Sequence, residues 1–309
     1  MNTKNISTTQ LAKICGVSQG TVDRALNNRK GISPKTKEKI LSAAKEYGYK
    51  PNIHARCIAG GKSQLIGVVV FDVYNEYFSD ILMHIEENCR EKNYSTVVMF
   101  TNKDAEKEIN CIKNLYDMSV DGIILCPVNS GENYENFLRS LDIPIITIGN
   151  RLNNFYYVGI DNFAAVKEAI NCVIDKGYKK LIYVRPELKE RNTYAQTERI
   201  SAFEHICKEL KVNYVISNFE NAQMHIKNKQ DAIICPTDIY AIRLLPITKK
   251  YNAGIIGFDN IRIIDEIDIK LDSVSYDIST AARAITDYII DKEEEISIVS
   301  HQIINRGSL

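Results

Sequence analysis

No apolar run in this 309-residue sequence approaches the roughly 20 residues that a membrane-spanning helix needs, so neither a bilayer span nor a membrane partner is expected. The amino-terminal stretch from Met1 to Gln10 is polar and lacks the apolar segment of a secretory signal, which gives the expectation of a cytoplasmic protein. Eight cysteines are scattered along the chain without a single C-x-x-C pair. That spacing argues against a disulfide scaffold and against a clustered metal site, and leaves the thiols as small apolar residues in a reducing compartment.

Catalytic signatures are also missing. No G-x-G-x-x-G follows an apolar run, and neither a P-loop nor a G-x-S-x-G elbow occurs. Gly60-Gly61 precedes the first expected strand and so does not cradle phosphate in the usual way. The five histidines show no triad spacing. An enzyme is not expected, nor is a cofactor.

Acidic residues are scarce in one region only. Residues 1–63 hold 12 Lys+Arg against 3 Asp+Glu, whereas residues 64–309 hold 27 against 36. A chain of zero net charge therefore divides into a head of +9 and a body of −9. A small basic module on an acidic body is the electrostatic layout of a phosphate-binding head.

The pattern within the head agrees with its charge. Leu11, Ala12 and Cys15 give one short helix an apolar face, and Val22, Ala25 and Leu26 do the same for a second. Gly16 between them suits a turn with positive φ, Ser7 with Gln10 has capping-box spacing, and Ser18 is placed to cap the second helix. Two such helices make a helix-turn-helix, whose second helix lies in the major groove of DNA. Ser33-Pro34 opens a third helix with apolar positions Ile40, Ala43, Ala44 and Tyr47, and Gly48 ends it. Pro51-Asn52 restarts the chain in a helix expected over 52–59. At about two turns it is too short to stand alone, so it reads as a hinge that forms against DNA and a partner hinge.

From Leu65 onward the rhythm is strand, helix, strand. Apolar runs at Ile66–Phe71, Thr96–Phe100, Gly122–Cys126, Pro144–Ile148, Leu181–Val184, Ala232–Cys235 and Ala253–Phe258 read as parallel strands covered on both faces. Amphipathic stretches such as Phe78, Ile81, Leu82, Ile85 and Cys89 lie between them. This alternation predicts doubly wound parallel sheets. The body is too long for one such sheet, so two similar lobes with a cleft between them are expected, with about five units before Asp161 and four after it.

These residues together resemble the lactose-repressor (LacI/GalR) family of bacterial transcription regulators. The head carries A-x-x-C-G-V-S-x-x-T-V-x-R from Ala12, S-P-K-T-x-x-K-I from Ser33 and Y-G-Y-x-P-N-x-x-A-R from Tyr47. The body carries I-G-V-V-V from Ile66, V-D-G-I-I-L-C-P from Val120, V-G-I-D-N from Val158, R-I-S-A-F from Arg199, I-G-F-D-N from Ile256 and N-R-G-S from Asn305. The resemblance implies an α plus α/β architecture: a helix-turn-helix domain over 1–50, a hinge helix and linker over 51–63, and a periplasmic-binding-protein-like body over 64–309. Within that body the first lobe is expected at about 64–160 plus 276–293, and the second at about 161–275 plus 294–309.

It further implies a homodimeric, ligand-responsive regulator, a repressor, that reads a near-palindromic double-stranded operator. Ser18, Gln19, Thr21 and Arg24 then lie on the recognition helix. Gln19 and Arg24 suit base reading, because glutamine pairs bidentately with adenine and arginine with guanine. Ser18, Thr21 and Asn27 suit phosphate contacts that fix register. In the hinge, Asn52 and Ala55 fall at matching positions, and Ile58 stands where the family inserts a leucine into the minor groove. Gly20 is a departure, since relatives often place a base-contacting side chain there.

Ligands of open α/β sheets lie beyond the carboxyl ends of the strands. Asp72, Tyr77, Phe78, Asn150, Asp238 and Asp259 follow or end such strands, Asp161 lies at the crossover and Arg199 on a helix start, and together they form the expected binding set. Aromatic faces mixed with carboxylates and a guanidinium suit a sugar or sugar derivative. Two alternatives stay open: a relative of exported sugar-binding proteins, and a regulator that senses a purine, for which Tyr77-Phe78 and the stretch Glu190-Arg191-Asn192-Thr193 speak.

Overall fold

A computed structural model of the chain describes residues 6–26, 29–49, 61–187, 192–294 and 296–309. The chain divides into two units, Met1–Ser63 and Gln64–Leu309. In the first unit, helix α1 spans Thr8–Cys15, α2 Gln19–Leu26 and α3 Pro34–Glu46. Ser7 accepts the Gln10 amide at 3.2 Å while its own amide donates to the Gln10 side chain at 2.7 Å, so the expected capping box closes. Gly16 sits at φ 65°, a left-handed backbone that glycine adopts without strain and that turns α1 into α2. Leu11, Cys15, Val22, Ala25 and Ile40 form a small dry core, and Lys39 ties α3 to α1 by donating to the Cys15 carbonyl at 3.0 Å.

The second unit contains two six-stranded sheets. Strands β1 (Leu65–Val70), β2 (Ser95–Phe100), β3 (Gly122–Leu125), β4 (Ile145–Ile148) and β5 (Tyr156–Ile160) make the first. Strands β6 (Lys180–Arg185), β7 (Asn213–Asn218), β8 (Asp231–Ile234), β9 (Gly254–Phe258) and β10 (Asp272–Tyr276) make the second. Each runs in the order second, first, third, fourth, fifth, and each gains a sixth strand from the carboxyl-terminal segment. Ile298–Val299 (β11) pairs in parallel with β5, and His301–Ile304 (β12) pairs antiparallel with β10. Continuous runs such as Ile66 to Val70 and Leu181 to Val184 are buried on both faces because helices cover both sides of each sheet.

Strands β5, β7 and β10 are absent from the runs expected above. Asn213–Asn218 is an edge strand with polar ends, and Asp272–Tyr276 reads D-S-V-S-Y, too polar to register as an apolar run. The pairing of β11 with β5 also corrects one boundary. Residues 294–309 do not lie together in the second lobe as expected: Ile298 and Val299 belong to the first sheet, and the chain passes to the second at Ser300. The hinge helix expected over 52–59 lies outside the described residues.

Candidate functional site

On the head, Ser18 and Thr21 are joined at the start of α2. Ser18 Oγ accepts the Thr21 amide at 3.2 Å and lies 2.8 Å from Thr21 Oγ1. Ser18, Gln19 and Arg24 are exposed, while Thr21 is half-buried. Val22 and Ala25 hold the opposite side of the helix in the core. Gly20 adds no side chain to this face. The other four residues expected at DNA (Asn27, Asn52, Ala55 and Ile58) lie outside the described residues.

In the body, the carboxyl ends of the strands of both sheets meet at a cavity of about 350 Å³. Phe71 and Asp72 follow β1, Cys126 follows β3, and Gly149 and Asn150 follow β4; from the second sheet, Thr237 lies beyond β8, Asp259 follows β9 and Tyr276 ends β10. The helices that begin here are α4 (Glu76–Glu91), α7 (Asn162–Asp175), α8 (Tyr194–Glu209), α10 (Asp238–Tyr251) and α12 (Ile278–Thr286); the body's other described α-helices are α5 (Ala105–Asp117), α6 (Glu132–Arg139), α9 (Phe219–His225) and α11 (Ile263–Glu266).

Arg199, on α8, is the buried cation of the cavity. Its Nε donates to Asn162 Oδ1 at 2.8 Å, Nη1 to the Pro236 carbonyl at 3.1 Å and Nη2 to the Tyr276 hydroxyl at 3.0 Å. Its guanidinium also lies 4.6 Å from the centre of the Phe258 ring. Burial works against the charge, but facing Tyr276 and Asp259 outweigh it, and the pKa ends above the ordinary arginine value. Tyr276 donates onward to Asp259 Oδ1 at 3.2 Å. Burial pushes the Asp259 carboxyl up, and Arg199 pulls it back.

Several bonds cross the cleft directly. Asn75 Nδ2 donates to Asp259 Oδ2 at 2.8 Å, and the Ile263 amide donates to Glu76 Oε2 at 3.3 Å. Asn150 Nδ2 donates to the Asn192 carbonyl at 3.0 Å while its Oδ1 accepts the Ala195 amide at 3.2 Å. Tyr77 meets Phe78 edge-on with ring centres 5.2 Å apart and Tyr276 at 5.9 Å.

Six residues of the expected binding set therefore line one cavity: Asp72, Tyr77, Phe78, Asn150, Arg199 and Asp259. Two stand elsewhere. Asp161 is exposed and caps α7 by accepting the Ala164 amide at 2.9 Å; its neighbour Asn162 is the residue that reaches the cavity. Asp238 is fully buried behind the wall, accepting Ser273 Oγ at 2.7 Å and the Ile261 amide at 3.0 Å. Its carboxyl lies on Gly257, where a Cβ would come within 2.0 Å of Oδ1. Asp238 thus supports the loop that presents Asp259. Burial, and then the Asp259 charge, push its pKa up to about 8.

Asn75, Asn162, Gln196 and Tyr276 were not among the expected residues. A helix-capping reading of Asn75, which accepts the Tyr77 amide at 3.2 Å, would have found the first. Tyr276 was hidden because its strand was not recognised. Glu190 and Arg191 lie outside the described residues. Among the described residues, no group of three or more His, Cys, Asp and Glu side chains is placed to hold a metal ion, and no helix is long and apolar enough to cross a membrane.

Residues 9–52 match the pattern of bacterial regulatory proteins of the lacI family, and residues 66–261 that of a periplasmic binding protein domain. Over its whole length the chain is similar to catabolite control protein A of Priestia megaterium, at 26% identity over 98% of this chain and 99% of that one. The crystal structure of the Lac repressor dimer bound to operator and the anti-inducer ONPF superposes with a TM-score of 0.84 at 16% identity, covering 99% of both chains. The transcriptional regulator CelR in complex with cellobiose superposes with a TM-score of 0.67 at 18% identity, covering 98% of this chain and all of that one.

Proposed function

This chain belongs to the lacI family of bacterial regulatory proteins, and we propose that it is a transcriptional repressor controlled by a sugar or sugar derivative. As a member of that family it is a DNA-binding regulator and not an enzyme. It acts as a homodimer in the cytoplasm, with two heads reading the half-sites of a near-palindromic operator. One observation carries the reading: a basic helix-turn-helix and a two-lobed body with a walled cavity lie in a single polypeptide.

Gln19 and Arg24 reach base edges from the exposed side of α2, and Ser18 and Thr21 hold phosphates. The effector enters the cavity, touches both lobes and changes their alignment. A coupling of roughly 1–3 kcal/mol between effector and operator is the usual size of such a link. The cellobiose held by the CelR neighbour supports a sugar as the effector class.

The test is selection of duplexes from a random pool by the full chain, followed by titration of the selected operator with and without sugars. A near-palindromic preference that shifts with one sugar is expected. Arg24→Ala should weaken binding to the selected operator far more than binding to random duplex. No preference for any duplex, with or without sugars, overturns the reading.

A further inference from the structure

The charges around the cavity narrow what it takes, on the premise that this cavity is the effector site. Among the described residues, its charged lining side chains are Asp72, Glu187, Asp259, Lys103 and Arg199, three acids against two cations. Three of the five N–H donors of the buried cation, Arg199, are engaged within the chain, one on each guanidinium nitrogen. Lys103 stands at the exposed rim, 5.5 Å from the centre of the Phe71 ring.

Anions in α/β clefts are commonly held by the free amides of helix starts. At four of the five helix starts here, side chains already occupy one or two of those amides. Asn75 accepts from Tyr77 at the head of α4, Asp161 from Ala164 at α7, and Asp277 from Thr280 at α12. Asn192 and Asn150 take the Tyr194 and Ala195 amides at α8. The remaining helix, α10, opens with Asp238, whose carboxyl is buried and already bonded to Ser273 and the Ile261 amide.

Acceptors, by contrast, wait for a donor. The side-chain oxygen of Gln196 is buried in the cavity wall without a hydrogen-bond partner among the described residues. It lies three residues before Arg199, on the same face of α8. A buried acceptor left unmatched is costly, and a ligand hydroxyl or amine relieves it. Tyr77, Phe78 and Tyr157 add an aromatic lining.

We infer that the cleft takes an unphosphorylated, non-acidic ring compound that donates hydrogen bonds to Gln196 and Asp259 and sets an apolar face against the aromatic wall. Gln196 is a specificity-determining acceptor, and phosphate esters or acid forms of the same ring are rejected.

Calorimetric titration of the full chain with matched pairs tests this. Ribose, xylose, glucose, cellobiose and adenosine form the neutral set; their phosphate esters and, for the sugars, their carboxylic acids form the anionic set. At least one neutral probe is expected to bind, with its anionic forms weaker by about tenfold or more, the scale of one lost or clashing polar contact. Gln196→Leu should weaken that neutral probe by a similar factor, and Gln196→Glu, which keeps an acceptor, should retain it. An anionic form that binds as well as its neutral parent overturns the inference and leaves the sugar reading standing. Binding of adenosine alone overturns the sugar reading and supports the inference. Equal binding by parent and Gln196→Leu removes Gln196 from the site, and no binding by any probe overturns the inference outright.

Discussion

The sheet led by β1 and the sheet led by β6 carry their strands in the same order, but the side chains they bring to the cavity differ in kind. The first lobe supplies most of the rings, including Phe71, Tyr77, Phe78 and Tyr157. The second supplies both buried charges, Arg199 and Asp259, with Tyr276 bonded between them. The aromatic wall is fixed by packing, whereas the charged wall is fixed by hydrogen bonds among Arg199, Tyr276 and Asp259, with Asp238, bonded to Ser273 and the Ile261 amide, bracing the loop behind them. A shared topology decides where a site forms; the residues at the strand ends decide what it recognises.

The most severe way to break this division is Arg199→Ala. It leaves Asp259 buried without its counter-charge, and the body should lose roughly 3–5 kcal/mol in urea unfolding of the full chain. Arg199→Lys should restore little of this, because an ammonium cannot serve Asn162, Pro236 and Tyr276 at once. Parent-like unfolding of both variants would mean that the charged wall does not depend on its arginine.

The next effect is on pH dependence. Asp238 is pushed from 3.8 to about 8 by burial and by the Asp259 charge. Its folded pKa is raised, so its contribution to stability is complete below the ordinary carboxylate range and is lost as the pH rises through about 8. Melting followed across that window should show a decline on the order of a few kcal/mol. Asp238→Asn should flatten the slope. An unchanged slope would assign the pH dependence to another group.

Gly257→Ala should cost the body roughly 1–3 kcal/mol by overpacking against the Asp238 carboxyl. An unshifted melting temperature would show that Asp238 can move aside. The mildest test sharpens the other lobe: Phe78→Leu keeps the apolar volume but removes a ring. Affinity for a bound sugar should fall by roughly 0.5–1.5 kcal/mol in calorimetry, with little change in folding. No loss would move ring contact elsewhere on the first lobe.

Much of this organisation was legible in the chain itself. The capping pattern of Ser7, Gln10 and Ser33 and the turn at Gly16 located the head helices, because cap and turn chemistry is local. Runs such as Leu181 to Val184 located the central strands, because burial on both faces demands unbroken apolar sequence. Strand β10 escaped for the same reason inverted, since Asp272 and Ser273 are fully buried yet polar. Asp272 is held there by the Arg306, Gly307 and Ser308 amides, partners more than thirty positions away that no local pattern reveals. Asp161 and Asp238 were expected in the cavity because a carboxylate after a strand suits a cap, a buried brace and a ligand contact alike. Only the direction of each side chain separates the three.

Three stretches of backbone join the two lobes, after β5, after β10 and between β11 and β12. They run as neighbours: Val299 sits in register with Ile160, and the Asp277 amide donates to the Ser300 carbonyl at 3.1 Å. A single tether would let the lobes swivel freely, but three laced side by side form a ribbon that bends about one line far more readily than it twists or slides. Whatever wedges or draws together the strand ends opposite that ribbon is converted into one angle, and a molecule with one angle to set has a mechanical variable simple enough to be read at a distance.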